Sequence, residues 1–477
     1  MPSHKFAAAG TRLLLATSLV TSLAVSLGAC SFAPAYKVPA TPLAGDPQNN
    51  GAYHEMGPWT PAAPADAATR GSWWSIFNDP ALDALEQRVE SGNAQLAIAV
   101  AQYDEASALY GQARAGLFPT LYASGNISKT RDPKNDQLDN NSLGLAAGYE
   151  LDLWGRVRNL VAAGKAQAQA SAADLANTRL SLQALLAETY FNLRGADAQI
   201  ALLQQTSDDY QKALDLTNDR FKGGASAAAD VGRAKAQLES TLAQLQQSRA
   251  SRALLEHALA VLVGESASTF RVAAVTTQVD VPQIPVDAPS QLLQRRPDVA
   301  AAERLVYAAN AQIGVAKAAF FPDVTLAADG GNEEYVGKTG PYWAIGPASF
   351  NLPIFDGGAR IAGVKDARAS FEAAAAQYRQ TVLTAFQNVE DELALSNQLA
   401  TAQQHQDEAA KAAAETDRLS MVQYTEGAAS YLDVVTAQTT DLQAQSAALN
   451  IHTQRLVAGV DLIRALGGGW QGPAKAN

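Results

Sequence analysis

The chain lacks most of what reactive chemistry uses. Among its 477 residues there is one cysteine, Cys30, so no disulfide can close within a single copy. Three methionines are too few to argue for handling of soft metals such as copper or silver. The five histidines, at positions 4, 54, 257, 405 and 452, show no metal-ligand spacing. "GESAS" (264–268) follows a helical stretch, whereas a nucleophile elbow needs a strand before it. "DGGAR" (356–360) lacks the lysine of a phosphate loop. These absences argue against an enzyme, a metal centre or a bound cofactor. Positive charge is scarce too: a formal charge of −11 and a pI near 5.0 give no basic face for nucleic acid. The apolar stretch Leu13 to Leu27 is shorter than the roughly 20 residues that cross a bilayer as a helix.

That stretch has a different use. It follows Lys5 and Arg12 and ends in Leu27-Gly28-Ala29-Cys30, an arrangement similar to a bacterial lipobox. Residues 1–29 then form a signal peptide, and the Cys30 thiol carries a covalent lipid. Ser31 in place of aspartate permits passage to an outer membrane. A lipid anchors a chain without saying what the chain does.

Two segments rich in Ala, Gln and Leu, about 80–265 and 357–466, favour long helices. Each is broken once, by "RFKGGASAAADV" (220–231) and by "QYTEGAASYLDVV" (423–435). Phe221 and Tyr424, Gly224 and Gly427, and Asp230 and Asp433 all lie 203 residues apart. The same offset relates "ARAGLFPTL" (113–121) to "AKAAFFPDV" (316–324), and a nearby one relates "YELDLWGRVR" (149–158) to "FNLPIFDGGAR" (350–360). The chain therefore reads as a duplication with an approximate twofold relation between its halves. The expected organisation is a lipidated N-terminal extension (30–75), a first repeat (76–265), a linker (266–289), a second repeat (290–466) and a tail (467–477).

Each repeat should combine a β-hairpin with a helical hairpin. From 142 to 154, Leu143, Leu145, Ala147, Tyr149, Leu151 and Leu153 alternate with small or polar residues, over about the length of a membrane strand. Segment 120–128 alternates likewise; 323–331 and 342–355 do so more weakly, and Pro347 argues against a regular ladder there. Loops are expected at 129–141 and 332–341, and Phe118, Trp154, Phe321, Tyr342, Trp343 and Phe355 suit an interfacial girdle. Four strands cannot close a barrel, so membrane strands would require several copies. Along 182–221, Leu182, Leu186, Thr189, Leu193, Ala196, Ile200, Leu203, Ser207, Tyr210, Leu214, Thr217 and Phe221 step by three and four, a coiled-coil seam. A helix from about 157 to 221 would be about 100 Å long.

On the lipobox with "FAPAYKVP" after it, "WWSIFNDPALDALEQ" (73–87), "LLQRRPDVAAAERLVYAANAQIGVAKAAFFP" (292–322), "LPIFDGGAR" and the paired turns, the sequence resembles the TolC family of outer-membrane efflux proteins, in its lipoprotein (NodT-like) branch. The resemblance implies a mainly α fold with a membrane β-barrel portion. Three copies would share a twelve-stranded barrel continuing into an α-helical barrel. It implies a passive conduit for drugs or other small molecules, partnered by a periplasmic adaptor and an inner-membrane transporter.

It also implies roles for residues. Gly223, Gly224, Ala225, Gly427 and Ala428 would form adaptor-docking tips. Leu432, Asp433 and Thr436 would form the periplasmic gate, where three Asp433 carboxylates meet beside an apolar ring of Leu432. Many relatives carry a second acid where Thr436 stands, so cation binding at the gate should be weaker here. Asp230 reads equally as a solvated helix-start charge. Closure against carboxylate repulsion would need other bonds, bound cations or raised carboxyl pKa values, with Tyr424 among the residues placed to bond between hairpins. A type I protein secretion channel shares the fold, and a pore-free coiled-coil lipoprotein would share the helical seam.

Overall fold

The computed structural model describes residues 31–40, 53–55, 70–131, 137–284, 296–335, 338–346 and 349–468. The signal peptide, Cys30, linker residues 285–289, Pro347 and the tail after 468 lie outside the described residues. In the first half, a 3-10 segment (Arg70–Phe77) leads into helices α1 (Pro80–Gly92) and α2 (Ala94–Ala115). Strands β1 (Thr120–Arg131) and β2 (Gln137–Glu150) follow, then helices α3 (Arg156–Lys222) and α4 (Ala228–Leu262). The second half holds α5 (Pro297–Ala318), β3 (Asp323–Tyr335), β4 (Lys338–Ile345), β5 (Ser349–Asn351), α6 (Ala359–Thr425) and α7 (Tyr431–Ala465). Shifted by 203 residues, the bounds of α2, α3 and α4 become those of α5, α6 and α7 to the residue. No described helix is long and apolar enough to cross a membrane.

The chain divides into two compact units. One holds Gln102–Ala172 and Ala301–Gln380 together with residues 31–40; the other holds 53–55 and 70–101, Ala173–Ala300, and the chain from Thr381. In the second unit the α3 seam is buried at Leu182, Leu186, Thr189, Leu193, Leu203, Ser207, Tyr210 and Thr217. Ala196, Ile200 and Leu214 of the same seam are half-buried, and Phe221 is exposed where the helix ends. The described part of the linker is pinned from α3 and α4. Buried Asp197 accepts from Arg252 Nε (2.6 Å) and from Val275 N (3.2 Å), and Arg252 donates to Val272 O (2.7 Å). In the first unit, α3 buries Ala163, Ala166 and Ala170 at the same spacing, where a methyl side chain lets neighbouring backbones approach closely.

The sheet belongs to the first unit. It is an antiparallel meander in the order β1-β2-β3-β4, with β5 also on β3, so the pairing of β2 with β3 joins the two halves. Register places Leu121 opposite Ala147, Ala147 opposite Ala328 and Ala328 opposite Ile345, all on one face. That face carries Leu121, Ile127, Leu143, Leu145, Trp343, Ile345 and Phe350, every one more than half exposed. Ser124, Asn126, Ser142, Gly144, Asp329 and Gly331 share the other. One face is thus greasy and uncovered, the other small and polar. Neither β1 nor β4 has a second strand partner among the described residues.

The weak second hairpin has a physical explanation. β4 pairs Ile345 with Ala328, and β5 pairs Ser349 with Thr325, so three residues on one side face two on the other. The pairing therefore slips by one residue between Ile345 and Ser349, as across a bulge. Side-chain parity changes there, so even-numbered Phe350 joins odd-numbered Trp343 and Ile345 on the apolar face. A strict period-two reading loses the signal at that point. The expected loops are also corrected: β1 and β2 stay paired out to Arg131 and Gln137, and β3 and β4 out to Tyr335 and Lys338. Backbone pairing continues past the apolar band because it does not depend on hydrophobic alternation.

Candidate functional site

The glycine breaks are helix C-caps of one kind. In the first, Gly224 takes φ +76°, its N–H donates to Phe221 O (3.0 Å), and Ala225 N donates to Arg220 O (2.7 Å). In the second, Gly427 takes φ +79°, its N–H donates to Tyr424 O (3.0 Å), and Ala428 N donates to Gln423 O (2.8 Å). Both are Schellman motifs, whose left-handed residue is glycine because a side chain there would be strained. Gly223 closes α3 by donating to Asp219 O (3.0 Å). Space at the tips is open: nothing lies within 4 Å of a Cβ placed on Gly224.

The two turns are tied together by a residue sequence reasoning passed over. Arg220, near the end of α3, donates through Nη1 to Tyr424 O (2.6 Å) and stacks its guanidinium 4.6 Å from the Tyr424 ring centre. Carbonyls in the last turn of a helix lack intrahelical partners and carry partial negative charge, so the cation caps α6. The Tyr424 hydroxyl lies 3.2 Å from Ser226 Oγ and 3.5 Å from Thr217 Oγ1. Its ring meets Tyr431 edge-on (5.3 Å between centres), over a buried cluster that includes Ala213, Ala234 and Val434. Sequence placed Tyr424 in such a network. The only signal for Arg220 was a mismatch, since its counterpart one offset on is Gln423.

Leu432, Asp433 and Thr436 lie together on the exposed face of the first turns of α7, with Leu432 53% exposed. Thr436 Oγ1 donates back to Leu432 O (2.8 Å). Asp433 Oδ2 accepts from Ser430 N (3.0 Å) and Ser430 Oγ (2.8 Å), while Ser430 Oγ receives the Asp433 N–H, a capping box. Those bonds from Ser430 hold the Asp433 carboxyl below the usual aspartate range. Within one chain those bonds favour the charged form of this acid. Asp230, at the start of α4, accepts from Ala227 N (3.3 Å) and pairs with Arg233 Nη1 (2.8 Å).

At the foot of the sheet, the segment that follows Cys30 is held in place. Phe32 stacks on Phe321 (4.5 Å between centres), and Phe321 stacks on Trp154 (4.8 Å). Ser31 Oγ donates to Asn159 Oδ1 (3.0 Å), Lys317 Nζ to Phe32 O (3.2 Å), Asn310 Nδ2 to Pro34 O (2.9 Å), and the Tyr36 hydroxyl to Glu303 Oε1 (2.5 Å). Gly314 lets this segment seat, since a Cβ there would lie 2.8 Å from Ala33 N.

Comparison with known proteins agrees with this architecture. A family model described as outer membrane efflux protein matches residues 79–265 and 288–468. Over 474 residues the chain is 33% identical to the toluene efflux pump outer membrane protein TtgC of Pseudomonas putida, with 95% of this chain and 96% of that protein covered. It is 28% identical over 462 residues to the cation efflux system protein CusC of Escherichia coli, covering 94% and 98%. A solved structure of the outer-membrane channel OprN matches with a TM-score of 0.84 at 29% identity, over 92% of this chain and 100% of that one.

Proposed function

The chain belongs to the outer membrane efflux protein family, and from that premise we propose a trimer, lipid-anchored through Cys30 and closed by its second helical turn. It is an outer-membrane channel of a tripartite efflux system, a conduit rather than an enzyme, spanning the outer membrane and extending into the periplasm. A periplasmic adaptor and an inner-membrane transporter are the partners this membership implies. TtgC and CusC are named for toluene and for cations, yet both match nearly the whole of this chain. Cargo so unlike on one architecture supports selection by the pump and passive conduction here.

The observation that carries the trimer is the sheet: an exposed apolar face, a polar face, and two open edges. In lipid, each unpaired backbone group costs several kcal/mol, so the edges must meet other copies. Counting β4 and β5 as one interrupted strand, two copies give eight strands, a barrel filled by its own side chains, whereas three give twelve and a pore. The held segment 31–40 supports the lipid anchor, because it fixes the residue after Cys30 beside the aromatic foot of the strands. At the gate, the bonds from Ser430 favour a charged Asp433 within each chain, and closure rests on bonds such as those from Arg220 to the end of α6 and on bound cations. The open, glycine-capped tips at 223–225 and 427–428 are where the adaptor docks. The repeats that carry these parts are 76–265 and 290–466.

Intact-mass measurement on protein extracted from membranes tests this reading. A trimer whose chains begin at a lipid-modified Cys30 is expected. A monomer released without detergent, or a chain still beginning at Met1, would overturn it.

A further inference from the structure

On the polar face of the sheet, one row of residues runs Ser124, Gly144, Gly331, Tyr342 from β1 to β4. The tyrosine is two strands away from Gly144, a separation of about 9–10 Å at the usual strand spacing. Even so, its hydroxyl oxygen lies only 2.7 Å from where a Cβ on Gly144 would stand. A tyrosine side chain can span that gap only by lying along the sheet, across Gly331, instead of standing up from it. Gly331 lies between them in the row, and a Cβ there would run into the Leu143 carbonyl and Gly144, so the backbones of β2 and β3 approach closely at that point. Two glycines side by side weaken a sheet and leave its backbone bare. Here they form a trough, and an aromatic ring fills it, as in aromatic rescue of strand glycines.

We propose that Gly144 and Gly331 park Tyr342 flat against the wall of the channel and so set the clearance for solutes at that level of the barrel. The proposal rests on the channel reading, in which the polar face lines the lumen. Tyr342 is then a positioning residue for transport: its bulk is harmless while the trough holds it, and obstructive when the trough is filled. The neighbours one row away on the same face of β3 are the acidic Asp329 and Glu333, which offer the ring no apolar side chain on that strand.

The test uses full-length protein in intact cells, with Ala344→Cys as a reporter. Ala344 shares the polar face one row deeper than Tyr342. Its labelling from outside by maleimide carrying a bulky polyethylene glycol reads clearance without depending on the periplasmic gate. Gly144→Val is expected to slow that labelling about tenfold or more, and adding Tyr342→Ala should restore it. Tyr342→Ala alone should change the rate by less than about twofold, because a ring flush with the wall obstructs little. That single variant decides the matter if Gly144→Val fails to reach the membrane. A tenfold rise with Tyr342→Ala alone, or a Gly144→Val loss that Tyr342→Ala does not restore, would overturn the proposal. Failure of even a small maleimide to reach Ala344→Cys would instead overturn the channel topology on which it rests.

Discussion

At the first helical turn, Asp230 leans on Arg233, with 2.8 Å between Oδ1 and Nη1; at the second, Thr436 stands where Arg233 would, and Asp433 is bonded only to Ser430 among the described residues. The backbones are the same Schellman turn one offset apart. The aromatic residues differ as well: Phe221 is 46% exposed, whereas its counterpart Tyr424 is 4% exposed and packed against Tyr431, whose own counterpart is Ala228. Duplication supplied one turn twice. The copies then diverged, the first toward a neutralised, plain reversal and the second toward a packed core with a bare charge. The proposed reading therefore assigns gating to the second turn, and docking, which needs only shape, to both.

The largest effect should come from what the turns share. Gly224→Trp and Gly427→Trp each force a side chain into positive φ, at about 1–2 kcal/mol, and crowd an open tip. Either change should reduce drug tolerance to that of a strain without the channel, with trimers intact on a native gel. Normal tolerance with Gly427→Trp would take the tips out of docking. The next effect separates the turns. Arg220→Ala removes a charged hydrogen bond worth about 2 kcal/mol from the end of α6, and should raise resting single-channel conductance several-fold. Gln423→Ala, at the matching position, should leave it unchanged; equal behaviour of the two would dissolve the distinction.

A smaller pair of changes swaps the caps. Ser430→Ala should destabilise the start of α7 by about 1 kcal/mol, and Ala227→Ser should stabilise the start of α4 by a similar or smaller amount. Amide hydrogen exchange over the two first turns reads both, and opposite signs are expected.

The smallest effect concerns charge that the second repeat alone carries. Asp461 and Arg464 of α7 stand where α4 has Ala258 and Val261, and they face Glu188 of α3 and Glu392 of α6. Burial first, and then the Asp461 carboxylate, raise Glu188 to about 7; the same causes raise Glu392 to about 7. Arg464 Nη1, 3.3 Å from Glu188 Oε1, opposes the shift without cancelling it. Because the folded state holds these protons more tightly than the unfolded chain, its advantage is full below the ordinary value of 4.5 and is lost as pH rises through 7. Melting temperature should therefore fall by a few degrees between pH 5 and pH 8, and Glu188→Gln should flatten the slope. A melting temperature that rises over that range would contradict the assignment.

Much of this was legible in sequence because it repeats. The offset of 203 located both turns and all four long helices, and alternation located β1 and β2. The second hairpin was faint because its bulge reverses parity between Ile345 and Phe350, which a fixed period cannot follow. Arg220, Arg233 and Ser430 escaped for a related reason. Matching the repeats draws attention to the residues that agree, whereas the working differences sit where Arg220 faces Gln423, Arg233 faces Thr436 and Ala227 faces Ser430. The docking of Phe32 and Tyr36 involves partners more than a hundred residues away, beyond any local pattern.

Single-channel recording of reconstituted trimers carrying Asp433→Ala or Asp230→Ala tests the account most directly. Since Ser430 keeps Asp433 ionised below the usual range, divalent-cation block of the parent channel should persist from pH 8 down to pH 5. Asp433→Ala should remove most of that block, and Asp230→Ala, which loses a charge already paired with Arg233, should leave it intact. Equal block in the parent and both variants, or loss of block with Asp230→Ala alone, would contradict the assignment of the gate to the second turn.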